Sequence, residues 1–412
     1  MMRTGILQAT FAVSALSSIV FAASPARAND YYCDNDRAAS QYPNCNTGSD
    51  AGWVLRTGQG GDANGDDRLG GPGTHFYGWS FYGLSGGNRF WLDVYLNNFD
   101  FTDTRAGYGA SSQDVGYINQ NTAPGGWSRI GTGTSYPSFR VQAWNDSGAG
   151  RTGADLIKIQ TFSSFAAAQT DADESAAACA TTFQVADPRV AAIQQKMLSA
   201  VDHYRDVQGS FRIAFSKIGQ DERVDFTVSE QIASSSVRIT KANGNVVERT
   251  SNAQSAVTRY LDTSTFRKAA LAPVLRPVGA RVIVNKTCEP VYVHRQDPAW
   301  GDAANEVTSP ENYAFWLSSS NAAVVGNERL LGRAVTVVEG QHDAYLSRKL
   351  GATTFKMWVD DETGVLLKLV GTNEKGLTAY SIDVSDIRFN RGVDAKAFTV
   401  DEPAGWKNLS AE

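Results

Sequence analysis

Cysteine and histidine are scarce, with four of each in 412 residues. Those counts exclude a dense disulfide scaffold and a Cys/His-rich zinc fold. No C-x-x-C pair occurs, which removes a dithiol redox role. Glutamate is absent before Glu174, and lysine occurs once, as Lys158, before Lys196. The formal charge of −5 argues against electrostatic binding of nucleic acid or anionic lipid by the whole protein. After residue 28 no stretch approaches 18 apolar residues, so no integral membrane segment is expected in the processed chain. What is present suffices for a packed core: 42% of residues are hydrophobic and 20% charged. The length suits two to three domains.

Residues 1–28 read as a signal peptide. Met1 to Arg3 is short and basic, Ile6 to Ala23 is apolar, and Ala26-Arg27-Ala28 is a small-x-small cleavage pattern. The protein is therefore expected to be exported, to the periplasm or the medium. Export permits disulfides, and the four cysteines are expected to pair as Cys33–Cys45 and Cys179–Cys288.

Composition then divides the chain. Of 38 glycines, 23 lie between Asn29 and Phe162, along with five of the nine tryptophans. Residues 163–187, rich in Ala, Ser, Asp and Gln, read as a linker, and from Pro188 onward Lys and Glu become common. The expected fold is mainly β in two domains. An N-terminal antiparallel, jelly-roll-like β-sandwich (29–162) precedes a strongly curved antiparallel sheet, an incomplete barrel with a few helices (188–412).

In the first half, short aromatic and β-branched strands such as Phe90 to Leu96 alternate with Gly-rich turns. The order Ala106-Gly107-Tyr108, Asn119-Gln120-Asn121, Gly125-Gly126-Trp127 and Gly153-Ala154-Asp155 resembles the carbohydrate-binding-like sandwich of golvesins and some xanthan lyases. That resemblance implies attachment to a surface or polymer, with a glycan as partner. Asp62, Asn64 and Asp66 stand at the first three ligand positions of a calcium loop, but Asp67 occupies the place of the turn glycine. The loop reads better as a solvated turn, and calcium is the one cofactor the sequence raises. Gly83-Leu84-Ser85-Gly86-Gly87 matches G-x-S-x-G literally, yet strand-like Asn88 to Trp91 follows where a nucleophile elbow needs a helix.

In the second half, Val190, Ile193, Met197, Leu198 and Val201 have helical spacing, with Asp187 as N-cap and Pro188 in the first turn. The period then becomes two: Phe211, Ile213 and Phe215; Val224, Phe226 and Val228; Val237 and Ile239; Val282 and Val284. A short helix opens at Ser309-Pro310-Glu311-Asn312. Along Tyr380 to Phe389 the alternation slips, which predicts a bulge. The strand Leu331-Gly332-Arg333 to Val338 and the hairpin Trp358-Val359-Asp360 to Thr363-Gly364 resemble the lipoprotein-carrier and sigma-factor-regulator superfamily of the LolA and RseB (MucB) types. The resemblance runs from about Pro188 to Trp406. It implies a concave apolar face that holds acyl chains, and a lipid, lipoprotein or envelope regulatory protein as partner.

Phe211, Ile213, Phe215, Phe226 and Val228 are the candidate cavity-lining residues. Alternation alone fits equally well with their packing as ordinary core. The four histidines are scattered and no catalytic set emerges, so the chain reads as a non-catalytic binding protein. A polysaccharide-binding or polysaccharide-modifying secreted protein is the alternative.

Overall fold

The structure is a computed structural model. It describes residues 29–35, 42–57, 66–71, 73–145, 150–163, 185, 187–274, 279–319 and 321–411. The signal segment, most of the linker, Asp62, Asn64 and Cys179 lie outside the described residues.

The first half folds as twelve strands: β1 (Asn29–Cys33), β2 (Cys45–Ser49), β3 (Trp53–Thr57), β4 (Asp66–Gly70), β5 (Gly73–Tyr82), β6 (Arg89–Leu96), β7 (Ala106–Ala110), β8 (Gln113–Ile118), β9 (Gly126–Thr134), β10 (Ser138–Asn145), β11 (Thr152–Ala154) and β12 (Ile157–Phe162). Strands β1-β12-β6-β9 form one layer and β2-β5-β10-β7-β8 the other. Their inner faces meet in one core. Leu92, Val94, Ile130, Ile157 and Ile159 of the first layer pack with Trp79, Phe81, Val115 and Val141 of the second. Strands β3, β4 and β11 make a small third sheet. The expected disulfide Cys33–Cys45 is present and ties β1 to β2, across the two layers. Cys288 is also disulfide-bonded. The G-x-S-x-G segment is the turn between β5 and β6, where Ser85 meets the Tyr31 hydroxyl and no helix follows.

The second half opens with α1 (Pro188–Leu198). The Asp187 side chain accepts from the Arg189 amide at 2.8 Å, the N-cap bond that its spacing predicted. A meander follows: β13 (Asp206–Phe215), β14 (Gln220–Ser229), β15 (Ser234–Lys241), β16 (Val246–Ser251), β17 (Ser255–Tyr260) and β18 (Thr265–Leu271). Next come β19 (Arg281–Val284), β20 (Pro290–Val293), α2 (Asn305–Thr308) and α3 (Glu311–Ser319). The chain closes with β21 (Asn321–Leu330), β22 (Arg333–Gln341), α4 (Ala344–Leu350), β23 (Thr354–Asp360), β24 (Leu366–Thr372), β25 (Thr378–Phe389) and β26 (Lys407–Asn408). The pairing of β13 with β25 joins the six-stranded meander to the last five long strands. The result is a continuous antiparallel run, β18-β17-β16-β15-β14-β13-β25-β24-β23-β22-β21, within a larger sheet. Among the described residues β18 pairs with β17, β26 and β8 and β21 with β22, so the run does not close into a barrel. The predicted bulge sits at Ser385, where Ser210 opposes Asp386 and Phe211 opposes Val384.

Two parallel pairings join the halves. Strand β8 continues onto β18 (Ala270 with Gln113), and β20 lies beside β9 (Val291 with Trp127). Val282 and Val284 do form a strand, but it belongs to the first half's six-stranded sheet rather than to the meander. The reason is backbone hydrogen bonding, which fixes β19 and β20 beside β9 whatever side chains alternate along them.

Candidate functional site

Two features of the second half could hold a ligand: its concave face and a cleft where that face meets the sandwich. Eleven strands about 4.8 Å apart make a surface roughly 50 Å wide. Helix α1, with 11 residues, is only about 16 Å long. A flat sheet of that width would leave most of its apolar face wet. The strong curl closes the face over α1, α2 and α3 instead. Phe211, Ile213, Phe215, Phe226 and Val228 all lie within this core, each 4% exposed or less. They pack with Val201, Phe315, Trp316, Met357, Leu369 and Ile382. Phe215 stacks on Tyr380 at 5.1 Å between ring centres. The structure thus brings the five candidates together on one face, and that face is filled by the chain's own helices.

The hairpin motif explains how the filling is held. Arg333 donates twice to the Asp360 carboxylate, at 2.7 and 2.9 Å. Thr363 donates to the same carboxylate through its amide and its hydroxyl. Burial raises the affinity of Asp360 for a proton, but these bonds hold its carboxyl below the ordinary range. The turn then rests on α1: Lys196 Nζ donates to the Asp361 carbonyl, and Gly364 lies against the Lys196 carbonyl. Helix α1 is tied in turn to α3, where Gln194 donates to the Ala314 carbonyl at 2.8 Å and to Ser318 at 2.6 Å.

The cleft has a volume of about 110 Å³ and is lined from both halves. Its floor is built from β8 and β9, and its walls from the segment after β20 and the start of α3. His294 follows directly from the β20–β9 pairing, its amide bonded to the Arg129 carbonyl at 2.8 Å. Its Nδ1 lies 3.2 Å from Glu311, which also accepts from the Arg295 amide. Glu306 accepts from Asn119 at 3.0 Å and from the Tyr313 hydroxyl. Burial pushes the Glu306 and Glu311 carboxyls up, against the pull of those hydrogen bonds. Arg105 faces Glu222 at 3.5 Å and Asp302 at 3.8 Å. Arg249 lies over the Tyr117 ring at 4.7 Å and donates to the Tyr117 hydroxyl. Trp300 meets the same ring edge-on at 6.2 Å.

The sequence alone does not single out any of these cleft residues as site residues. His294 stands isolated there because Glu311, Asn119 and Arg249 are remote from it in the chain. Of the calcium triplet only Asp66 is described. It is buried, accepts from Asn35 at 2.8 Å, and opens β4, paired with Thr57 of β3. Among the described residues no group of three His, Cys, Asp or Glu side chains could hold a metal ion. No described helix is long and apolar enough to cross a membrane. His203 is exposed at the end of the 3₁₀ turn after α1. His342 is different: burial pushes its ring down to about 3, and Nε2 pairs with the Tyr380 hydroxyl at 2.7 Å.

No protein-family model matches the chain, and no curated protein matches it. Among solved structures, the chain is similar over 52% of its length to a MucA/MucB complex structure from Pseudomonas aeruginosa, at 14% identity and TM-score 0.29. There it covers 61% of the other chain, so it spans less than two thirds of that protein. It is likewise similar over 52% of its length to the lipoprotein LppX of Mycobacterium tuberculosis, covering all of that chain at 15% identity and TM-score 0.30. An uncharacterized conserved protein from Thermus thermophilus gives 11% identity, 52% and 96% coverage and TM-score 0.30.

Proposed function

We propose that this chain is a non-catalytic extracytoplasmic binding protein whose second half holds the acyl part of a lipid or lipoprotein. The observation that carries the reading is the concave apolar face: an open, eleven-stranded sheet curled around helices and never closed on itself. A closed barrel has no seam. This sheet has one, and the helices that fill its concave face are short, 11 residues in α1 and 9 in α3. Displacing α1 and α3 would present Phe211, Phe215, Phe226 and Val228 to an acyl chain, each buried CH₂ contributing about 0.8 kcal/mol. The Cys33–Cys45 disulfide fits an oxidising compartment outside the cytoplasm. On this reading the sandwich attaches the protein to a surface or polymer.

The test is native mass spectrometry of the processed full chain, with lipid extraction of the same sample. The expected result is a stoichiometric acyl-chain adduct. Val228→Phe, which fills the chamber without adding charge, should remove it while circular dichroism stays unchanged. A clean apo mass after incubation with lipids and lipopeptides would sink the reading.

A further inference from the structure

We infer that the cleft between the halves is a binding site for a neutral, polyhydroxylated ring, the chemistry of a single sugar unit. This inference stands apart from the acyl chamber and does not depend on it. The first observation is unmet hydrogen bonding in the cleft wall. Trp300 is 6% exposed, and its indole N–H has no acceptor among the described residues. Asn312 donates to the Asn119 carbonyl and to Thr122 through its amide nitrogen, and its Oδ1 has no donor among them. His294 faces Glu311 through Nδ1, and its Nε2 has no partner among them. The wall therefore leaves a donor, an acceptor and a ring nitrogen unmet. Buried groups in that state are costly unless something satisfies them.

Ligand chemistry follows from that imbalance. Sulfate and carboxylate only accept, so they would leave Asn312 Oδ1 without a donor, and hydrogen phosphate, which does carry hydroxyls, brings negative charge into the cleft. They would also face Glu306 and Glu311, whose carboxyls are already buried. A cation would lie beside Arg105, Arg249 and Arg295, and the described residues hold no cluster of metal ligands. A hydroxyl both donates and accepts, so a ring carrying several hydroxyls suits a wall that leaves both a donor and an acceptor unmet. The aromatic walls of Tyr117, Trp300 and Tyr313 suit the C–H faces of such a ring. At about 10–15 Å³ per water position, 110 Å³ holds roughly seven to eleven heavy atoms, so a hexose would place its ring in the cleft with its remaining groups at the mouth, and no long chain would fit.

Backbone strain marks the same wall. Trp300 and Asp302 both adopt left-handed φ values, +53° and +51°, on either side of Gly301. Side chains at such positions persist only where the surroundings impose them. Here Ser235 and Ser251 hydroxyls hold the Trp300 and Ala299 carbonyls at 3.0 and 2.8 Å. The loop is thus pinned from the meander so that the Trp300 indole forms part of the cleft.

The test uses the processed full chain and ligand-observed saturation-transfer NMR. Glucose, galactose and N-acetylglucosamine are the free-sugar probes, octyl glucoside below its micellar concentration is the amphiphilic probe, and inorganic phosphate is the competitor. Saturable binding is expected, unaffected by phosphate. Trp300→Phe keeps a ring and removes the donor, and Asn312→Ala removes the acceptor. Each should weaken binding about tenfold, the worth of one good hydrogen bond. Binding of free sugars identifies a free saccharide as sufficient. Binding of octyl glucoside alone, still sensitive to Trp300→Phe, identifies the sugar as the head of an amphiphile. No binding at millimolar concentration, binding indifferent to both substitutions, or displacement by phosphate would each overturn the proposal. Val228→Phe in the acyl chamber should leave free-sugar binding unchanged, so the two sites can fail separately.

Discussion

The two halves of this protein bury charge in opposite ways. The sandwich puts Asp93 at zero exposure in the middle of β6 and surrounds it with Arg129, at 2.7 and 3.0 Å, and Lys158, at 2.7 Å. Arg129 also lies near Trp91, and Lys158 near Trp127. The curved sheet has an apolar concave face around the five chamber residues, and its ion pairs Arg333–Asp360, at the hairpin end, and Arg105–Glu222, at the cleft, lie outside that cluster. The difference teaches what each layer is for. A polar network inside a sandwich fixes register and strand identity, because each charge is satisfied in only one arrangement. An apolar face has no such selectivity and tolerates exchange of one apolar filler for another, as a binding chamber requires.

The largest expected effect comes from breaking the network. Asp93→Asn leaves Arg129 and Lys158 buried with less compensation, and should cost about 3–5 kcal/mol in urea unfolding. Burial opposes ionisation of Asp93, yet Arg129 and Lys158 hold its carboxyl down to about 2. Its contribution to stability is thus fully present above the ordinary carboxylate range and fades only as pH falls toward 2. Replacing all three partners with apolar residues of similar size should recover much of the loss, which would show that the network serves specificity.

Lys349 of α4 sharpens the contrast from the other side. It is fully buried, donates to the Tyr345 hydroxyl at 3.0 Å, and has the like charge of Lys217 nearby. Burial pushes its amine down to about 7. The unfolded chain therefore binds more protons between about pH 7 and the ordinary lysine range, so stability should rise with pH across that window. Lys349→Met should flatten the rise and raise Tm at pH 7. An unchanged slope would mean that the amine keeps its charge in the fold. The next effect down is confined to the sandwich: Cys33→Ser with Cys45→Ser opens a link across a sequence separation of 12, and should cost about 2–4 kcal/mol by thermal unfolding.

Much of this architecture was legible in the sequence, for reasons that can be traced. Helix α1 was legible because its apolar spacing and the Asp187-Pro188 start agree with each other. The Ser385 bulge was legible because strand phase is a period of two, and a slip shows at once. The five chamber residues were legible as a face, but not as filled space, since alternation is the same whether a helix or a ligand lies opposite. The cleft was not legible. It depends on β20 lying parallel to β9, a pairing made by backbone groups that carry no side-chain code. That pairing places His294 in the same cleft wall as Asn119 of the other half.

The smallest predicted effect tests the seam between the hairpin and the helical filling. Gly364 has φ +79°, and a Cβ there would overlap the carbonyl oxygen of Lys196 at the end of α1. Gly364→Ala therefore adds backbone strain and pushes the hairpin off the helix, at about 1–3 kcal/mol. Unfolding measurements read that cost, and lipid loading reads its consequence. If the helices are a displaceable filling, a loosened seam lowers the barrier to opening, and the acyl adduct should form faster while the sandwich is unaffected. If instead the helices are permanent core, Gly364→Ala lowers Tm and changes nothing in the loading rate. The same substitution thus separates a chamber that opens from a sheet that is simply packed, which is the distinction on which the comparison of the two halves turns.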